Sequence, residues 1–462
     1  MKTHALKGRL IDPLQSLLSQ IAVAYGDLRP QSRVCSMAMG LLCGERPKTV
    51  TSSLAFTQEE DKDWSASYRL FAQSQCNPQA YFEPILRQGL ATMGAQSGPV
   101  ITAQDDSLFR KTGRHIPGVR YMRDPLSPPF QVNLVLGQRF VQCSLLLQPA
   151  GPEHPWRAIP LRFDSAFTPK IPNNATAEEK KALKAQRQQH RLGQVGLEQL
   201  RQIRAQLDAC GRADRQLLDT VDGSYTNRHF LGNLPVRTDV VGRFRKDAKL
   251  RAYLPKEQRV GARKYGDVLP TPKEYLANEA EPCQVLRVWA CGQWRDLRYK
   301  VMQRVCWPSG LKDQKVRIIL LKPMGYRLRK GSKLLYRQPA YLITTDLTSP
   351  IATLIAAYLA RWEIEVSFRD EKSILGVGQA QVRNPQSAER LPMFMVACYS
   401  ALLLSCIQAF KDQRSEAFDP LPKWRRNKPL RPSLRDLLRL LRRETSTLKD
   451  NKYMISVRRD KT

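Results

Sequence analysis

YLARWEIEVSFRDEKSILG (358–376) sets Tyr358, Arg361, Glu365 and Lys372 three, four and seven residues apart. On a helix advancing roughly 100° per residue, those spacings gather the four side chains within about a sixth of a turn. One carboxylate is thus bracketed by two cations and a phenol on a single face. Such a face suits a polyanion whose phosphate is gripped while a metal on the carboxylate acts on it. A helix start is signalled just upstream, where Ser349 is a candidate N-cap and Pro350 fits the first helical position. The helix is expected to end near Gly376 and to be followed by an apolar one, LPMFMVACYSALLLSCIQAF (391–410).

Charge points to the same kind of partner. Of 462 residues, 75 are Lys or Arg and 42 are Asp or Glu, a net charge of +33. A protein this basic is expected to bind a polyanion, above all nucleic acid. The ten cysteines form no Cys-x-x-Cys pair and only five histidines are available, which argues against a structural zinc site. Cys398 and Cys406 sit in apolar runs and read as reduced core residues. MKTHALKGRLIDP (1–13) has no apolar run of the secretory kind, and the most apolar window, FMVACYSALLLSCI (394–407), is 14 residues long, short for a bilayer span. The expected location is the cytosol.

The chain divides by pattern. Residues 1–95 read as helices, in LIDPLQSLLSQIAVAY (10–25), VCSMAMGLLCG (34–44), KTVTSSLAF (48–56) and DWSASYRLFAQ (63–73). This part is either a small DNA-binding head, with 48–56 as the second helix of a helix-turn-helix, or a helical cap on the main domain. From residue 96 strands take over. PVITAQ (99–104) is a short strand closing on Asp105, Asp106 and Ser107, and QVNLVLGQRFVQCSLLLQPA (131–150) reads as a hairpin turning at Gly137-Gln138. A polar stretch (168–191) leads into a helix, GLEQLRQIRAQLDACG (196–211), then a strand, QLLDTVDG (216–223), closing on Asp222, and another, TDVVGRF (238–244). This succession indicates an α/β sheet with an antiparallel edge. Residues 246–340 interpose strands rich in basic and aromatic residues, and 341–410 return to the core through AYLITT (340–345) and the helix bearing Glu365. Residues 411–462 form a basic tail with a short amphipathic helix, SLRDLLRLLRR (433–443).

Carboxylates at two strand ends and on one late helix are the donors a two-metal phosphoryl-transfer site needs. Asp105, Asp222 and Glu365 brought together would repel unless a divalent cation sat among them, and magnesium prefers such hard oxygens. Taken singly, each acid has a plain alternative: a turn aspartate, or a solvated glutamate ion-paired with Arg361 four residues before it.

With those motifs in hand, the chain resembles the bacterial insertion-sequence DDE transposases of the insertion-sequence-four-like family. Tyr358, Arg361, Glu365 and Lys372 match its Y-(2)-R-(3)-E-(6)-K pattern. Asp105-Asp106-Ser107 resembles its Asp-x-Ser/Thr motif, VDGSYTN (221–227) its second-aspartate motif, and residues 246–340 its β-rich insertion. The resemblance covers about residues 96–410. It implies an RNase H-like core, interrupted by the insertion, with an N-terminal helical domain and a basic C-terminal helical tail. It further implies Asp105, Asp222 and Glu365 as ligands of two Mg2+ ions, for which Mn2+ can substitute, with Asp106 the alternative to Asp105. Tyr358, Arg361 and Lys372 would hold phosphates of the DNA end. Relatives carry a base-stacking tryptophan where this chain has Tyr341, whose ring offers a π-face for the same task or is simply a core residue. The histidines near the two aspartate motifs, His115 and His229, are expected to be hydrogen-bonding or phosphate-contacting residues. The activity implied is metal-dependent cutting of inverted-repeat ends and their joining to target DNA, by a homodimer on double-stranded DNA. The rival readings are an RNase H-like nuclease that never joins and a transposase-derived DNA-binding protein.

Overall fold

Apolar positions recurring every three or four residues fold the first part of the chain into five helices: α1 (Ile11–Ala22), α2 (Leu28–Cys43), α3 (Val50–Thr57), α4 (Trp64–Ala72) and α5 (Glu83–Met93). This is a computed structural model describing residues 9–450, apart from 73–75, 95–97, 125–126, 129, 291–292, 330 and 426–427. The first eight residues and the end of the basic tail, 451–462, therefore lie outside the described residues. In α1 the stripe Leu14, Leu17, Leu18 and Ile21 is buried. A short connection, residues 44–49, joins α2 to α3. Thr49 and Ser52 cap α3 reciprocally, and α2 crosses it at Gly40, where a Cβ would lie 2.0 Å from Ser53 Oγ.

These helices do not stand apart. Their buried side chains belong to one apolar cluster with α13 (Pro385–Phe410) and α14 (Leu434–Asp450). The backbone N–H groups of Leu10 and Ile11 at the start of α1 donate to the Glu444 carboxylate on α14, at 3.1 and 2.8 Å. The helices of this part thus pack on α13 and α14. Helix α13 is 26 residues long, well beyond its 14-residue apolar centre, and 83% of its most apolar window is buried inside the fold. Each leucine so buried contributes about 1.5–3 kcal/mol. Cys398 and Cys406 are buried on it as free thiols.

The strands are β1 (Val100–Arg110), β2 (Arg120–Arg123), β3 (Leu134–Leu147), β4 (Arg157–Ser165), β5 (Leu217–Val221), β6 (Thr238–Arg243), β7 (Leu250–Ala252), β8 (Val268–Leu269), β9 (Gln284–Ala290), β10 (Gln293–Cys306), β11 (Lys315–Leu321), β12 (Gly325–Tyr326), β13 (Leu335–Tyr336) and β14 (Ala340–Thr344). Helices α6 (Ala177–Gln189) and α7 (Leu192–Ala209) precede β5, and short helices α8 (Arg228–Leu231), α9 (Pro272–Ala277) and α10 (Pro308–Leu311) punctuate the rest. Twelve strands form one mixed sheet in the order β2-β3-β1-β5-β6-β14-β11-β10-β7-β8, with β4 on β3 and β9 on β10. β1, β5 and β6 are parallel, while β3 and β4 are antiparallel to their neighbours. The basic, aromatic strands after residue 246 continue this same sheet through β14 and β11.

Two readings from sequence are corrected here. Residues 134–147 form one long strand and no hairpin: Gly137 is paired in mid-strand, and a Cβ there would come within 2.6 Å of the Phe109 carbonyl oxygen. The glycine permits a close approach; it does not make a turn. Likewise β1 runs through Asp105 and Asp106 to Arg110, because β3 pairs with it throughout.

The Glu365 helix begins one residue later than expected, with Pro350 at the N-cap and α11 spanning Ile351–Ala360. The N–H groups of Thr348 and Ser349 donate to Asp346 Oδ1, both at 2.8 Å. It continues as α12 (Trp362–Asp370) and a π-helical turn over Glu371–Leu375, closing at Gly376. Ile101, Ala103, Leu218 and Val241 of the central strands pack against Leu354, Ile355, Ile364 and Phe368 of α11 and α12. On the other face Gln104 reaches α7, donating to Gln199 and to the Gly196 carbonyl oxygen, both at 3.0 Å.

Candidate active site

Parallel strands place their carboxyl ends side by side, and two of the acids singled out from sequence lie there. The β1–β5 ladder ends at Gln104 opposite Val221, so Asp105 and Asp222 are the next residue on each strand. Asp222 is fixed by its own turn, its Oδ1 accepting from Ser224 N at 2.8 Å and Ser224 Oγ at 2.6 Å. Consecutive strand residues point to opposite faces, which splits the Asp105-Asp106 doublet. Asp105 accepts from Arg361 Nη1 at 2.7 Å. Asp106 is ion-paired with Arg139 Nε of β3 at 3.4 Å, and it lines a cleft of about 1010 Å³ together with Arg139, Glu365, Lys372, Arg110 and Asp124.

Electrostatics register the crowding. Burial pushes the Asp105 carboxyl up to about 7, against the pull of Arg361 and with the help of Asp222. Burial also raises Asp106, where Arg139 and Lys372 oppose the shift and Asp222 and Glu365 add to it. Lys372 is lowered by burial in spite of Glu371, Glu365 and Asp106 around it. Its ammonium lies 5.3 Å from the Phe109 ring centroid and 5.9 Å from that of Phe368. Tyr358 is raised by burial, with Arg361 and Arg243 opposing.

The quartet is thus brought to one region, with altered partnerships. Arg361 pairs with Asp105 across to the sheet, and the ion pair with Glu365 that helical spacing allows does not form. Glu365 is exposed to the cleft. Tyr341 is not brought to the site: it lies in β14 between β6 and β11, only 8% exposed, and packs in the core. A stacking ring needs an open face, so the base-stacking reading of Tyr341 is corrected to a core role. Trp307 is buried edge-on against Phe244, and Trp289 and Trp294 pack on each other. His229 Nε2 shares a 3.0 Å hydrogen bond with Gln194, and His115 is exposed.

Residues that the sequence did not single out complete the cleft. Arg139 is supplied by the β1–β3 register, a pairing no local pattern announces. Arg110 and Asp124 form a 2.6 Å ion pair at the rim. Beneath the site, Glu371 is fully buried, and burial lifts its carboxyl to about 8.

Among the described residues, no three His, Cys, Asp or Glu side chains converge as a formed metal cage. The donor set nonetheless fits a hard divalent cation. It consists of carboxylates, and two of them are held up in proton affinity by burial and by their acidic neighbours, a cost that a cation among them relieves.

No curated protein matches the chain. The cryo-EM structure of the piggyBac transposase synaptic complex with hairpin DNA is similar over 99% of this chain and 84% of that one, at 11% sequence identity and a TM-score of 0.37. A score that low fixes neither fold nor function. A family model described as DDE superfamily endonuclease matches residues 33–314, which include the Asp105-Asp106 doublet and Asp222 and end before the Glu365 helix. That match spans more than half of the 462 residues, and the chain belongs to the DDE superfamily endonucleases.

Proposed function

We propose that this endonuclease is a DNA transposase of the insertion-sequence type, which cuts the ends of its element and joins them to target DNA. The observation that carries the reading is Asp106 and Glu365 lining one basic cleft, with Asp222 near enough to add to the upward shift of both β1 aspartates. The run of antiparallel β4, β3 and β1 followed by parallel β5 and β6 supports treating this half of the sheet as an RNase H-like core.

Asp222 and Glu365 are assigned as metal ligands with one residue of the doublet. The Asp-x-Ser/Thr register points to Asp105, whereas the shared cleft with Glu365 and Lys372 supports Asp106. Magnesium held there would supply Lewis-acid polarisation of the scissile phosphodiester and a more acidic attacking water. The chain's own residues bind and orient. Lys372 offers a point charge to a phosphate, and Tyr358 a hydroxyl donor. Arg361 commits one nitrogen to Asp105 and keeps further N–H donors for a phosphate. Arg139 holds Asp106 in place until a cation takes over that charge. Paired ends call for two subunits, so a homodimer on double-stranded DNA is the working assembly.

The test is cleavage and strand transfer by the purified chain on DNA carrying the inverted repeats that flank its gene, with magnesium present. Glu365→Gln and Asp222→Asn are expected to abolish cutting while leaving DNA binding intact, and whichever of Asp105→Asn and Asp106→Asn does the same marks the first ligand. Undiminished cleavage by Glu365→Gln sinks the site assignment. Cutting without any joined product favours a nuclease that stops at hydrolysis.

A further inference from the structure

The β2–β3 arm leaves the sheet at the rim of the cleft. Arg110 on β1 and Arg120 on β2 both stand opposite Gly137, so the arm starts beside the cleft residues Arg110 and Arg139. It pairs outward through Tyr121–Leu136, Met122–Val135 and Arg123–Leu134, and Asp124 N donates to the Asn133 carbonyl oxygen at 2.8 Å. Its surface is unusual for a protein edge. Tyr121 is 56% exposed, Phe130 89%, Val132 61% and Leu134 59%, interleaved with exposed Arg120 and Arg123. Among the described residues no element covers these large apolar side chains, and guanidinium groups stand between them.

Alternating rings and guanidinium groups fit a strand of unpaired nucleotides, whose bases take the apolar faces and whose phosphates take the charges. Three residues of strand from Gly137 to Leu134 reach roughly 10 Å. We propose that the arm holds bases unpaired next to the scissile phosphate, with Tyr121 and Phe130 stacking and Arg123, on the same face as Tyr121, meeting the phosphates. The inference rests on the DNA-cutting reading above and adds to it a single-strand subsite.

The probe is a labelled thymidine oligonucleotide, compared with a blunt duplex of equal length, titrated with the full chain and followed by fluorescence anisotropy. Replacing both rings (Tyr121→Ala with Phe130→Ala) is expected to weaken single-strand binding by about 5- to 150-fold per ring. Duplex binding should be unchanged, and Tyr121→Phe with Phe130→Tyr should restore the single-strand affinity. Both positions are exposed, so the fold is expected to survive, as circular dichroism will read. If the Ala variant binds the oligonucleotide as the parent does, or loses duplex binding equally, the arm has no such subsite. If the parent chain binds neither DNA, the functional reading falls as well. Glu365-dependent cutting with an indifferent arm overturns this inference alone.

Discussion

Replacing Glu371 by glutamine should stabilise the protein, and increasingly so as pH rises. Glu371 sits in the π-helical turn, fully buried, and neither carboxylate oxygen has a hydrogen-bond partner among the described residues. The groups facing it are Gln142 of β3, its neighbours Asp370 and Lys372, and Tyr399 of α13. Burial raises its carboxyl from an ordinary 4.5 to about 8, with Lys372 and Gln142 opposing. The folded state therefore holds a proton that the unfolded state releases between those two values. Stability falls as pH climbs through that window and is level on either side of it. At 1.36 kcal/mol for each tenfold change in proton affinity, the wild-type chain forfeits up to about 3 kcal/mol at pH 7 and about 5 kcal/mol at alkaline pH. Glutamine has the same shape, does not titrate, and can donate to the unpartnered Gln142 Oε1. Urea denaturation of both proteins, followed by tryptophan fluorescence across the pH range, reads the difference directly. The two curves should coincide in acid and separate towards neutrality. A gap that stays constant with pH, or a variant less stable than wild type in alkali, refutes the reasoning.

Other substitutions probe the frame around the site. Arg157 on β4 and Asp412 after α13 form a buried ion pair, with Arg157 Nε donating to Asp412 Oδ2 at 3.0 Å and Nη2 donating to the Pro432 carbonyl oxygen, also at 3.0 Å. Asp412→Asn keeps the left-handed backbone (φ 57°) tolerable but strands the guanidinium, and should cost about 3 kcal/mol in denaturant titrations. Gly40→Ala sets two effects against each other: helix propensity favours alanine by about 1 kcal/mol. The new Cβ, however, would sit 2.0 Å from Ser53 Oγ and 2.6 Å from the Ser53 carbonyl oxygen. Backbone cannot yield as a side chain can, so a net loss of about 1–3 kcal/mol and a lower thermal midpoint are expected.

Elements carried by local periodicity were legible in the sequence. The α1 stripe, the α13 core helix and the β5 strand ending before Asp222 all follow from residue patterns that need no distant partner. What escaped is set by partners far along the chain. Gly137 carries a turn residue's identity, but its role is decided by the Phe109 carbonyl oxygen of another strand. Asp105 and Asp106 look like a strand end because the β5 ladder stops there, yet β3 holds β1 extended for four residues more. Helical spacing put Arg361 next to Glu365; tertiary packing offered it Asp105, a more deeply buried carboxylate, and that contact won. Tyr341 lies at the start of an apolar strand, and only the presence of β6 and β11 on either side makes it core.

The carboxylate that satisfies the first N–H groups of α1 belongs to Glu444, 433 residues beyond Ile11. The start of α1 is thus completed by a side chain more than four hundred residues away in sequence. Until α14 docks, the first amides of α1 lack this carboxylate, while the α1 stripe already has α2, α5 and α13 to pack against. Loop closure over such a separation is slow, and half-made chains of this kind are aggregation-prone. Docking of α14 onto α1 is therefore expected to be a non-local step of folding.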